Sequence, residues 1–325
     1  MRYEETGRLM RGIGGLYEIA LDVGETPLSG RTVASRAKGN FRHAGLSPLV
    51  GDLVRVGYDD TAVARYTGAT ELLAADDGGG VVIMEILPRT NALIRPPMAN
   101  LGVLFITFAA AKPEPVTETI DKLIAIAEYN HIEPIPVICK ADVAPARAQE
   151  LRDTYERAGF TTFALSSVEN SGVDDLRAWI SANLDGRIAA FSGASGVGKS
   201  TLLNALYPSL SLATGEISSK IERGKHTTRR VELYALENGF VADTPGFSML
   251  DFVRFDFFTR EDLPYVMREF LPYLGQCRYT KCTHTKEEGC AILDAVKTGA
   301  IAPSRHRGFL TMYEALKNKH EWSKK

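Results

Sequence analysis

The stretch Gly193-Ala194-Ser195-Gly196-Val197-Gly198-Lys199-Ser200, GASGVGKS, matches G-x-x-x-x-G-K-[ST] at every fixed position. It follows the apolar run Ile188–Phe191 and precedes the helix-like run Ser200–Leu206. A strand before and a helix after are what this motif requires. Glycines let backbone N–H groups surround phosphate oxygens, and the helix presents its positive end. Lys199 is placed to reach the β- and γ-phosphates of a nucleotide. The Ser200 hydroxyl is placed to ligate Mg²⁺, with Thr201 next to it at the start of the helix.

The remaining nucleotide motifs stand around this loop in a rotated order. Lys140-Ala141-Asp142 ends the apolar run Ile135–Cys139 and comes first. Ser166-Ser167 follows, then the phosphate loop, then Thr227-Thr228, then DTPGF at Asp243–Phe247. GTPases ordinarily carry the phosphate loop first and the base-reading N-K-x-D late. The rotation predicts a circularly permuted GTPase core that binds GTP and GDP. An Asp142 carboxylate accepts from guanine N1–H and the exocyclic amine together, a donor pair that adenine lacks. The Lys140 stem can cover the base. Cys139 stands where Asn is usual and removes one amide contact to guanine. It is read either as a base contact or as a buried strand-end thiol, the commoner role for such a residue. Ser166 is a candidate for the loop that supports the base.

The hydrolytic groups are read from the two later motifs. At its strand end Asp243 can hold Mg²⁺ through water, and the Gly246 amide can sense the γ-phosphate. Many GTPases follow this glycine with a Gln that orients the attacking water; here Phe247 cannot do so. Intrinsic hydrolysis is therefore expected to be slow, or another group positions the water. His226, in the polar segment Gly215–Arg230, is the candidate. Thr228, in preference to Thr227, is the candidate to complete the Mg²⁺ shell when the γ-phosphate is present.

Three of the four cysteines fall in one short stretch, as C-x4-C-x-H-x5-C: Cys277, Cys282, His284 and Cys290. Three thiolates and one imidazole predict a closed tetrahedral Zn²⁺ site of the structural kind, one ion per chain. The surrounding RYTKCTHTKEEGC is poor in apolar residues and would order poorly without a metal. Three cysteines in this stretch would leave one unpaired, which argues against a disulfide framework.

A chain of 325 residues has room for several domains, and its net charge near −2 excludes a polycation. Charge is nevertheless uneven. Between Thr26 and Gly51 there is no acidic residue, while Arg31, Arg36, Lys38 and Arg42 are present. From Leu271 onward basic residues outnumber acidic ones. Both ends are candidate phosphate-contacting surfaces. The charged start lacks a signal-peptide core, and the longest apolar run, Leu101–Ala111, is too short to span a membrane. The expectation is a cytoplasmic monomer. Alternating runs at Tyr17–Leu21, Arg31–Ala34 and Leu53–Val56 predict an all-β barrel over residues 1–75. Strands alternating with amphipathic helices predict an α/β GTPase domain over 76–250. Residues 251–325 are expected to be helical and zinc-binding, with a helix over Thr259–Phe270 capped by Thr259, the metal loop, and a last helix over Phe309–Lys317.

Taken together, LPRTNALIRPPMAN, GASGVGKST, the GKHTT loop, DTPGF and the spaced metal ligands resemble the bacterial small-subunit-dependent GTPase A family over essentially the whole chain. The resemblance implies an N-terminal OB-fold barrel, a permuted GTPase and a zinc-bearing C-terminal region. It further implies late maturation of the small ribosomal subunit, rRNA contacts from both terminal regions, and His226 as a catalytic group beside Thr228 and Lys199. Cys139 is the clearest departure from the family pattern. Two other classes differ in what they require. A metabolic phosphotransferase needs an acceptor pocket with a positioned base. A zinc-finger DNA regulator needs a finger helix that reads bases, and the C-x-H spacing here is unlike that module.

Overall fold

The computed structural model describes residues 1–37, 46–68, 80–94, 97–208, 231–243 and 259–322. Five strands close the N-terminal barrel: β1 (Tyr3–Ile13), β2 (Leu16–Leu21), β3 (Thr32–Ala37), β4 (Leu53–Tyr58) and, after helix α1 (Asp60–Gly68), β5 (Val81–Ile86). β1 pairs antiparallel with both β2 and β4. β3 and β5 run parallel, and β5 returns antiparallel to β4, so the order β1-β2-β3-β5-β4-β1 leaves no open edge. That is the pairing of an OB barrel. Its interior is the buried set Leu9, Ile19, Val33, Val54, Val56 and Ile83. β1 and β5 are additions to the strands expected from alternation, and β5 lies beyond residue 75. A hairpin of β6 (Ala92–Ile94) and β7 (Pro97–Ala99) follows.

The α/β core then runs β8 (Leu101–Ala109), α2 (Thr117–Tyr129), β9 (Glu133–Cys139), α3 (Pro145–Arg157), β10 (Phe163–Ala164), α4 (Val173–Asn183), β11 (Ile188–Gly193) and α5 (Lys199–Leu206). β10, β9 and β8 pair in parallel. β8 and β9 are buried almost throughout, as parallel strands covered on both faces must be. α2 buries Ile120, Leu123, Ile124 and Ala127, the i, i+3, i+4, i+7 stripe that makes its sequence helical. After residues 209–230, β12 (Glu232–Leu236) and β13 (Gly239–Asp243) form an antiparallel pair.

By its contacts the chain divides into two compact units. One comprises Met1–Gly102, Leu184–Ala190 and Lys225–Gly246; the other Val103–Asn183, Phe191–Gly224 and Phe247–Lys325. In the first, β13 pairs in parallel with the beginning of β11, and β12 pairs with β1 of the barrel at Arg11 and Glu232. In the second, the C-terminal region shares a core with α2.

That region departs from expectation. Instead of one helix over Thr259–Phe270 there are two short 3-10 helices, Leu263–Val266 and Arg268–Tyr273. Met267 between them is extended, which turns its side chain and that of Phe270 fully into the core. Pro264 opens the first segment and Pro272 lies inside the second, where it cannot donate to an α-helical ladder. Thr259 caps a turn rather than an α-helix: its amide donates to Asp262 Oδ2 at 2.9 Å, and its hydroxyl accepts from the Asp262 amide at 3.3 Å. Helix α6 (Ala291–Lys297) follows the metal loop, and the last helix, α7, spans Pro303–Trp322, longer than Phe309–Lys317. Leu263, Phe270, Ile292, Phe309 and Met312 pack with Ala125 of α2 in one cluster.

Candidate functional site

The phosphate loop leaves the end of β11 and enters α5. At Gly193 a Cβ would lie 2.2 Å from Thr107 Oγ1 and 2.4 Å from the Thr107 carbonyl oxygen, so only glycine fits. Thr107, on β8 and 1% exposed, donates its hydroxyl to the Ser192 carbonyl at 2.6 Å. It fixes the exit of the strand and the point where the loop begins. Ala194, Ser195 and Gly196 form an exposed rim, while Val197 is buried and anchors the loop from below. Gly198 has φ +107° and is the N-cap of α5, a conformation that a side chain would strain. Lys199, Ser200 and Thr201 occupy the first turn of α5, where a helix leaves its amides without intrahelical partners and presents the positive end of its dipole.

The base-reading element reaches this loop directly. Lys140 sits at the end of β9 with φ +57°. Its ammonium donates to the carbonyl of Gly196 at 2.7 Å and to that of Lys112 at 2.6 Å. One side chain therefore ties together the phosphate loop, the loop after β8 and the end of β9. The Ala141 amide donates to the Leu165 carbonyl at 3.1 Å, which places Lys140–Asp142 beside Ser166. Ser166 is buried; its hydroxyl accepts from the Glu169 amide at 3.2 Å, and paired backbone bonds to Ser171 close the loop. Asp142 is exposed. Cys139 is 2% exposed, and burial pushes its thiol up to about 12, so the sulfur is neutral and packed. Its Cβ lies 3.6 Å from where a side chain on Gly198 would begin, directly under the turn into α5.

Asp243 ends β13 in the other compact unit. His226, Thr227, Thr228, Gly246 and Phe247 lie outside the described residues, as do Lys38 and Arg42. Thr107 is the residue that motif reading missed. Its signal is a single hydroxyl within the otherwise apolar strand LGVLFITFA.

Cys277, Cys282, His284 and Cys290 bring one ligand atom each to within 4.8 Å of one another. His284 Nδ1 is 3.6 Å from Cys277 Sγ and 3.5 Å from Cys290 Sγ, and the two sulfurs are 3.9 Å apart. Ligands about 2.3 Å from a tetrahedral zinc have edges of about 3.8 Å. The cluster fits one zinc ion. Burial, together with contacts to the other two thiols, pushes Cys282 up to about 12; a divalent cation would take the place of those protons. The loop is pre-shaped by Glu287, which accepts from the Thr283 hydroxyl, the Thr283 amide and the amides of Thr285 and Lys286. Burial works against that carboxylate, and these hydrogen bonds overcome it, holding its pKa down at about 2. His306 of α7 bonds the His284 carbonyl through Nε2 at 2.9 Å.

Behind the metal loop Arg305 of α7 is 1% exposed and meets two carboxylates. It donates to Asp121 Oδ1 of α2 at 2.5 Å and to both oxygens of Glu269 at 2.6 and 3.3 Å. Burial opposes the guanidinium charge, and the two carboxylates outweigh it. Asp121 is left with Oδ2 unpaired, and burial pushes its pKa up to about 6 against the pull of Arg305.

Comparison with known proteins agrees with this architecture. Residues 86–253 match the RsgA GTPase family model and residues 6–64 the RsgA N-terminal domain. A protein of Caldanaerobacter subterraneus named small ribosomal subunit biogenesis GTPase RsgA is 37% identical, the alignment covering 97% of each chain. One of the same name from Bacillus pumilus is also 37% identical, over 96% of this chain and 98% of its own. The crystal structure of YjeQ from Thermotoga maritima superposes with a TM-score of 0.76 at 28% identity, over 97% of this chain and 99% of that one. YloQ, described as a circularly permuted GTPase, gives 0.75 at 28% identity, over 98% and 96%. With its rotated motifs, closed barrel and Cys₃His cluster, the chain belongs to the RsgA GTPase family and is a circularly permuted GTP hydrolase.

Proposed function

We propose that this GTPase binds the small ribosomal subunit late in its maturation and hydrolyses GTP to GDP and phosphate as a release switch. The observation that carries the nucleotide part is Lys140 bridging the base-reading strand to the phosphate loop. The partner is supported by relatives, matched over nearly their whole length, whose name is small ribosomal subunit biogenesis GTPase. In this reading the amides of Gly193–Ser200 cradle the phosphates, and Lys199 neutralises charge developing between the β- and γ-phosphates. Asp142 reads guanine, with Ser166, Ala141 and Cys139 shaping the base site. Ser200, exposed on the first turn of α5, and Asp243, at the end of β13, are hard oxygen donors suited to Mg²⁺. Held there, that ion would offset the negative charge of the phosphates. Thr228 and the Gly246 amide would detect the γ-phosphate, and His226 would orient water in place of the absent Gln. The barrel through Ile86 and the C-terminal region with its Cys₃His cluster serve as rRNA-contacting modules, one before and one after the GTPase segment in sequence.

The test is phosphate release from GTP with and without purified small subunits. Subunits should accelerate hydrolysis by the wild type, and Lys199→Ala should remove activity in both conditions. No acceleration would leave a GTPase without this partner.

A further inference from the structure

Beside the metal loop lies a cavity of about 640 Å³ whose lining includes Arg260, Tyr265, Leu274, Tyr279 and Lys281. Two of these are large aromatic side chains left in solvent: Tyr265 is 67% and Tyr279 49% exposed. The two hold their positions by different means. Tyr265 is the third residue of the first 3-10 helix, next to the buried Val266. Tyr279 sits in the metal loop, where Arg278 lies 5.6 Å from its ring centroid and donates its amide to the Gly289 carbonyl at 2.9 Å. Arg260 is paired with Glu261 at 2.7 Å. Lys281 and Arg278 have no carboxylate partner among the described residues. Two exposed tyrosine rings on an open cavity, with Lys281 in its lining and Arg278 held over the Tyr279 ring outside that lining, match the chemistry of an unstacked nucleobase and its flanking phosphates. Aromatic rings bind bases by stacking, and nearby cations track the backbone. An anion alone would not call for the rings.

We propose that this cavity is a base-stacking site for an unpaired nucleotide of RNA, with Tyr265 and Tyr279 as its stacking faces and Lys281 and Arg278 on the phosphates. The proposal rests on the RNA partner suggested above and narrows it to single-stranded RNA at a defined place. The metal has a part in it, because Cys277, Cys282 and His284 also line the cavity. Ordering of the metal loop sets where Tyr279 stands.

The experiment measures binding of a fluorescein-labelled oligoadenylate, an abasic oligomer of the same length and an RNA duplex to the zinc-loaded full chain. Tyr265→Ala and Tyr279→Ala should each weaken oligoadenylate binding by roughly 5- to 100-fold. Tyr265→Phe and Tyr279→Phe should restore it, because stacking needs the ring and not the hydroxyl. Abasic oligomer and duplex should bind weakly and be indifferent to these substitutions. GTP turnover without subunits should be unchanged in all four variants. Alanine variants that bind oligoadenylate like the wild type, or a wild type that does not prefer it to the abasic oligomer, overturn the site. If small subunits still stimulate hydrolysis in that case, the broader reading stands and only the stacking site falls. If subunits neither bind nor stimulate the wild type, the broader reading itself has failed.

Discussion

Thr107 shows how a residue that need not touch nucleotide can set the phosphate site. Its hydroxyl holds the Ser192 carbonyl, and its own backbone occupies the space that a side chain on Gly193 would need. Thr107→Val keeps the shape and removes this buried hydrogen bond, a net loss of about 0.5–1.5 kcal/mol. The variant should stay folded but bind GDP several-fold more weakly, as a fluorescent GDP analogue would report. Asp142→Asn exchanges a two-acceptor group for a mixed amide, so GTP affinity should fall toward that for ATP. Competition binding of the two nucleotides to wild type and variant checks this. Asp121 gives a pH dependence of definite sign. Its folded pKa of about 6 lies above the ordinary 3.8, so the fold binds this proton more tightly than the unfolded chain. The group's contribution is fully present below that ordinary value and is lost as pH rises through about 6. The groups facing it are Arg305, Glu269 and Tyr155. Asp121→Asn should flatten that slope between pH 4.5 and 7.5 relative to wild type, measured as urea midpoints at each pH.

At the scale of elements, the metal loop is the piece whose order is most conditional. Its ligands are spaced for zinc, and its frame is one carboxylate, Glu287, accepting from three amides and a hydroxyl. Chelation should release one zinc per chain and open proteolytic sites between Tyr273 and Ala291 while leaving α2 and β9 protected; limited proteolysis with mass mapping reads this directly. The strand–loop–helix around Gly193–Ser200, strand β9 and the Cys₃His spacing were readable because glycine, a buried apolar run and thiols each have few alternative uses. β1 was missed because YEETGRLMRGI mixes charges and glycines, and its identity as a strand depends on partners on both sides, β2 and β4. The 3-10 helices were read as α-helix because the acidic first turn after Thr259 resembles an N-terminus. The proline at 272 and the burial of Met267 decide otherwise. Thr107 was invisible for a related reason, since a hydroxyl in an apolar strand gains meaning only when its acceptor is known.

For the whole molecule, permutation places Lys140–Asp142 before the phosphate loop and puts the Cys₃His region after Asp243 in sequence. A γ-phosphate-dependent change near Gly246 would then lie next in sequence to the region proposed above to contact RNA. By linkage, a nucleotide state that favours subunit binding must itself be favoured by the subunit. Cosedimentation with small subunits should therefore be strongest with a non-hydrolysable GTP analogue and weakest with GDP. All such binding should fall steeply with added salt if phosphates dominate the contact. Equal sedimentation in every nucleotide state would remove the switch.

Arg305 also constrains how this chain can be made. Its acceptor Asp121 is 184 positions earlier in sequence. At about 5–20 residues per second, roughly 10–40 s of synthesis separate the two. For most of that interval α2 stands with Ala125 uncovered and a carboxylate whose cation does not yet exist. A nascent chain stopped after residue 253, where the GTPase segment ends, would hold its nucleotide motifs but lack the helix that completes α2's surroundings. The protein thus finishes its GTPase only after its last helix has been translated, and a ribosome stalled short of Arg305 should carry a chain prone to capture by chaperones.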